Sequence, residues 1–112
     1  MPVTTKEIAT YSLSMVSPGD PNKFFATIAL FDAAGTGIGF LRFYEPKVTK
    51  APNEFRADLG YPFVSYGSSS LAGIVDLLRN EKPAYFTWYD YSATRRFGAI
   101  ETSREAVGEA SA

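Results

Sequence analysis

The sequence predicts an α+β domain: a twisted, mainly antiparallel sheet of five or six strands with one helix packed on a face, in the order β-β-β-(β)-α-β-β. Three observations lead there. Only the segment 68–81 carries helical spacing. The other apolar segments alternate with polar residues or run apolar without a break, as strands do. Between them stand clusters of Gly, Pro, Asn and Asp, which turn the chain. At 112 residues the chain reads as a single domain with a modest core. Residues 1–5 and 105–112 read as loose ends.

The helix follows from four positions. Leu71, Ile74, Val75 and Leu78 fall at i, i+3, i+4 and i+7 and share one face, which Leu77 widens. Ser68, Ser69 and Ser70 precede the run, and serine side chains accept hydrogen bonds from the unpaired first-turn amides. Pro83 ends the helix. A helix of about 13 residues is not stable alone in water, so its apolar face must lie on the sheet.

The strands are read in chain order. Residues 6–17 alternate, with Ala9, Tyr11, Leu13 and Met15 on one face. A turn over 17–22 follows. Residues 23–32 are apolar on both faces: Phe24, Ala26, Ile28 and Leu30 against Phe25, Ala29 and Phe31. Such a strand belongs at the centre of a sheet with both faces covered. One helix covers one face, so a second copy of the chain is expected on the other.

Asp32 to Thr36 forms a short hairpin connection. Gly37 to Glu45 is a third strand, with Ile38, Phe40, Arg42 and Tyr44 on one face and Leu41 and Phe43 on the other. Gly37 and Gly39 mark a bulge or a close backbone approach. Pro46, Pro52 and Pro62 interrupt the next stretch, which is expected to hold short edge strands near 54–59 and 63–66. After the helix come an aromatic strand, 84–91, and a last strand, 95–104, with Phe97, Ala99 and Glu101 on one side and Ile100 on the other.

Composition limits the chemistry. There is no histidine and no cysteine. That removes Ser-His-Asp triads, imidazole and thiolate metal sites, cysteine nucleophiles and disulfides. No catalytic motif stands in their place, so the sequence points away from an enzyme and calls for no cofactor. Missing disulfides fit a reducing compartment, and the cytoplasm is the expected location. The start of the chain carries no apolar leader, and no apolar run is long enough to span a bilayer. The net charge of −1 supplies no field for nucleic acid.

Four features bear on a site. Asp90, between two tyrosines, is the carboxylate most exposed to perturbation by burial, with Glu45 and Asp58 next. The glycines at 35, 37 and 39 are not a phosphate loop, because no helix follows them. Ser68, Ser69 and Ser70 at the helix start are candidates for holding an anion. Arg42, Tyr44, Tyr85, Trp88, Tyr89, Arg95 and Arg96 are candidates for one aromatic and arginine surface. Lys47, Lys50 and Arg56 add a local basic patch. Nine Phe, seven Tyr and one Trp exceed what a small core needs. The leading expectation is therefore a binding module that self-associates as a dimer through an aromatic face or edge. Single-stranded nucleic acid is the second expectation. A small-molecule pocket or weak enzyme at the helix start, built on Ser68 to Ser70 with Asp90 or tyrosines, is the third.

Overall fold

The computed structural model describes residues 3–19 and 23–103. Among the described residues are eight strands, β1 (Val3–Ile8), β2 (Thr10–Met15), β3 (Phe24–Phe31), β4 (Gly37–Tyr44), β5 (Glu54–Arg56), β6 (Tyr61–Gly67), β7 (Ala84–Ser92) and β8 (Arg95–Thr102). A 3-10 turn, Ser68–Ser70, leads into one helix, α1 (Leu71–Asn80). The α+β class is as the sequence predicts. The strands divide, however, between two sheets: β1-β7-β8, and β2-β3-β4-β6-β5.

The division happens at Ala9. The sequence reads one strand from Lys6 to Ser17, but the chain bends between Ile8 and Thr10 and changes sheets. β1 pairs antiparallel with β7, whereas β2 pairs antiparallel with β3. The Ala9 amide donates to the Phe31 carbonyl at 2.8 Å, so the bend keeps its hydrogen bond. Val3 to Thr5, expected to be loose, belong to β1. The expectations for residues 1–2, 20–22 and 104–112 fall outside the described residues.

The core lies between the two sheets. Ala26, Ile28 and Leu30 of β3, Leu41 and Phe43 of β4 and Val64 of β6 face Ile8, Ala84, Phe86 and Trp88. Helix α1 closes the core with Leu71, Ile74, Val75, Leu77 and Leu78, as its spacing predicts. No residue of α1 is fully buried. The second sheet, more than the helix, is what covers the dry face of β3.

The other face of β3 differs from the sequence reading. A register shift after Phe24 turns that ring to the outer face, against Tyr44. Thr27 is buried there, while Ala29 and Phe31 are half-buried beside Phe40 and Phe63. That face is neither open nor sealed in a single chain, so β3 alone does not require a second copy.

β4 carries the predicted bulge. Leu30 pairs with Gly39 and Phe31 with Gly37, which displaces Ile38 and turns it into the core instead of beside Phe40. The connecting turn is held by Asp32, whose Oδ1 accepts the Ala34 and Thr36 amides at 3.0 and 2.9 Å. Gly35 there takes φ 83°.

β6 was expected at an edge but lies inside the large sheet, parallel to β4 and antiparallel to β5. The segment 45–53 makes the crossing and is pinned to β6 and β4. Ser65 Oγ donates to the Ala51 carbonyl at 2.6 Å, and the Ser65 amide donates to Asn53 Oδ1 at 2.7 Å. Arg42 Nη2 donates to the Pro52 carbonyl at 3.1 Å.

The Phe86 ring lies against backbone of both sheets. A Cβ at Gly39 would lie 2.7 Å from Phe86 Cε2, and one at Gly98 would lie 2.9 Å from Phe86 Cε1. Both positions therefore exclude any side chain. Gly39→Ala is expected to cost about 1–3 kcal/mol in urea unfolding, because a buried ring must move. Gly73→Ala, inside α1 with nothing within 4 Å of the new methyl, is expected to gain about 0.5–1 kcal/mol. Equal signs for the two would refute this account of the packing.

Candidate interaction surface

The sequence grouped its aromatic and arginine residues into one surface. The fold distributes them over four environments. On β7 successive side chains alternate between faces. Phe86 and Trp88 point into the core, whereas Tyr85, Tyr89 and Tyr91 point outward. Trp88 is thus a core residue. Arg96 lies opposite Asp90 and donates to it from Nε at 2.7 Å. The carboxylate singled out in the sequence is accordingly an ion-pair partner.

Arg42 and Tyr44 lie on the large sheet and are buried. Burial lowers the Arg42 pKa from its ordinary value, against the opposing influence of Tyr44 and Glu54. Its guanidinium lies 5.2 Å from the Phe63 ring centre, with Arg56 on the same ring at 5.0 Å. Arg56 also donates to Asp58 through Nε and Nη2, which holds that exposed carboxyl below the usual range. Arg56 and Asp58 thus satisfy one another, whereas the buried Arg42 Nε has no hydrogen-bond partner among the described residues.

Ser68, Ser69 and Ser70 form the 3-10 turn, and none caps the helix with its side chain. The Leu71 amide instead donates to the Ser68 carbonyl. Lys50 approaches from the segment 45–53, with its Cε 3.8 Å from where a Cβ on Gly67 would stand. Sizeable hollows lie elsewhere. One of about 530 Å³ runs between the Ala9 bend and the C-terminal end of α1, and one of about 490 Å³ lies beside Asp32 and Lys6.

Two exposed apolar groups remain. The first is on the outer face of the small sheet. Tyr89 and Phe97 are stacked with centroids 4.5 Å apart, and Tyr91 flanks both at 6.1 and 6.4 Å. Arg95 lies over Tyr91 at 5.1 Å. Tyr91 is 46% exposed and Phe97 43%. The other end of this face is polar: Thr5 and Thr87 hydroxyls meet at 3.0 Å, Thr87 donates to Glu101, and Tyr85 pairs with Glu7 and Glu101.

The second group is on β2. The register places Leu13 beside Ile28 and Met15 beside Ala26, on the inner face of the large sheet. Ile28 and Ala26 are completely buried, yet Leu13 is 44% exposed and Met15 65%. The cover supplied by the small sheet and α1 stops short of β2.

Sequence reasoning missed Tyr91, Phe97, Leu13 and Met15 as surface groups. Parity along β7 separates Trp88 from the three outward tyrosines, and that signal was legible. The exposure of Leu13 and Met15 was not, because it depends on where the second sheet ends. Compared with known proteins, the chain matches no family model, no curated protein and no solved structure.

The small sheet is tied to the large one by Tyr66, whose hydroxyl donates to the Gly98 carbonyl at 3.2 Å, and by Asn53, which donates to the Arg96 carbonyl at 2.8 Å. Burial pushes the Tyr66 phenol up from 10.0 to about 12. Folding favours its neutral form, so its contribution is complete below pH 10 and is lost as pH rises through 12. A shift of that size corresponds to about 2–3 kcal/mol. Tyr66→Phe is expected to flatten the fall in unfolding free energy between those two pH values. An unchanged slope would refute the assignment.

Proposed function

We propose that the protein is a small non-catalytic assembly module that self-associates. Exposed apolar surface carries this reading. Among the described residues six large apolar side chains are open in the single chain, and four of them occur in two neighbouring groups: Leu13 with Met15, and Tyr91 with Phe97. Scattered exposed hydrophobics need no explanation, but grouped ones mark contact sites. Two of the three carboxylates singled out in the sequence, Asp58 and Asp90, are occupied by arginines. That supports a non-catalytic role, as does a sequence without histidine or cysteine. The absence of cysteine also supports a reducing compartment, with the cytoplasm the simplest choice. Among the described residues no helix is long and apolar enough to cross a membrane.

Light scattering coupled to size exclusion tests the reading. Twice the monomer mass is expected, with dissociation on dilution. A monomer at the highest soluble concentration would overturn it.

One observation favours a second reading. The stacked Tyr89, Phe97 and Tyr91 with Arg95 form an exposed platform of the kind on which unpaired bases stack. It ranks second because the net charge is −1 and the same face ends in Glu7 and Glu101. Anisotropy titration with short oligonucleotides at low salt decides it. If bases stack here, Phe97→Ala weakens binding by about 1–3 kcal/mol. No binding at micromolar protein ends this reading.

A further inference from the structure

We infer that the interface between two copies is β2 paired with β2 of the second copy, antiparallel across a two-fold axis at Leu13. This rests on the self-association proposed above and specifies the surface that performs it.

Among the described residues four strands are edges: β1 and β8 of the small sheet, β2 and β5 of the large one. Edge strands expose unpaired amides and carbonyls, and folded proteins protect them with charge, proline or brevity. Lys6 and Glu7 protect β1, and Arg95, Arg96 and Glu101 protect β8, which Tyr66 and Asn53 also cover. β5 is three residues long and carries Glu54 and Arg56. β2 has none of these devices. Its sequence is Thr-Tyr-Ser-Leu-Ser-Met, and no charged residue occurs from Ile8 to Gly19.

The ladder sets which groups are free. The Val16 amide donates to the Phe25 carbonyl at 2.7 Å. Paired residues alternate along an antiparallel ladder, so Thr10, Ser12 and Ser14 direct their amides and carbonyls toward β3. Tyr11, Leu13 and Met15 direct theirs toward the open edge. A second β2 laid antiparallel places Leu13 opposite its own mate and Tyr11 opposite Met15, which forms about six backbone hydrogen bonds.

Side chains agree with that register. Tyr11, Leu13 and Met15 stand on one face, so the pairing brings each exposed apolar side chain against another from the second copy. Ser12 meets Ser14 on the opposite face. No like charges meet, because the strand has none. The two large sheets become one continuous sheet across the axis. A second copy is the occupant this edge fits best, because the strand complements itself in alternation, in charge and in hydrogen-bonding phase.

The natural chain contains no cysteine, so an introduced one is the sole thiol. In the inferred dimer Leu13→Cys faces its mate with Cα atoms about 5.5 Å apart, inside the disulfide range of about 4.4–6.8 Å. Ser12→Cys lies roughly 8 Å from its mate, beyond that range. Under mild oxidation Leu13→Cys is expected to cross-link quantitatively, and Ser12→Cys only at the rate of random collision. Leu13→Lys places two like charges on the axis and is expected to weaken the dimer at least about tenfold in light scattering. Leu13 is half open in the single chain, so circular dichroism of this variant is expected to match the parent. A dimer that cross-links no faster at position 13 than at 12, or that keeps its mass in Leu13→Lys, overturns the β2 interface and leaves self-association standing. A parent protein that is monomeric throughout overturns both.

Discussion

The Phe86 ring sets the distance between the two sheets. It lies against Gly39 of β4 and Gly98 of β8, and neither position has room for a single methyl group. The bare backbone at Gly39 lets the ring sit closer to the large sheet than a side chain there would permit, and Gly98, in the same sheet as Phe86, leaves room beside it. Val64 fills the space beside it, against Gly98. Trp88 follows two residues later on the same face, above Ile38 and Pro62. The bulge in β4 serves this arrangement, since it turns Ile38 inward and leaves Gly39 beneath the ring. The aromatic richness of β7 therefore divides by parity: alternate side chains build the core and the others form a surface.

Local patterns in the chain were legible and longer-range ones were not. The helix, the β3–β4 hairpin and the boundaries of β4 and β7 follow from spacing and turn residues, which are properties of neighbours in sequence. The Ala9 bend leaves only a faint mark, the adjacent apolar pair Ile8–Ala9, where the inward side passes from even positions (buried Ile8) to odd ones (Tyr11) as the chain changes sheets. The parallel placement of β6 was likewise hidden. It depends on Asn53, Ala51 and Pro52 fastening a crossing segment to Ser65 and Arg42. No periodicity reports a contact of that kind. Arg42 reads as a surface residue for the same reason: the segment that holds it, at Pro52, is irregular.

The surfaces show a consistent division. Some polar and charged groups engage one another, as in the Asp90–Arg96 and Arg56–Asp58 pairs and the threonine contact on the small sheet. Exposed apolar side chains lie on β2, at the margin of the large sheet, and on the outer face of the small one. The leading expectation from sequence placed a surplus of rings at an interface. The geometry shifts emphasis from the rings to the uncovered margin of the large sheet, where backbone and side chains are both unsatisfied.

The Ala9 bend also has a consequence for the order of assembly. Val3 pairs with Tyr89 and Lys6 with Phe86, whereas only a few residues later Thr10 pairs with Phe31. One continuous stretch is thus committed to an early partner with one half and to a very late partner with the other. A chain emerging from the ribosome can complete β2, β3 and β4 as a meander while β1 hangs free, waiting for β7 to be made. Contacts between segments so far apart in sequence slow the final closure. During that interval the nascent meander presents its greasy side to whatever else is in solution.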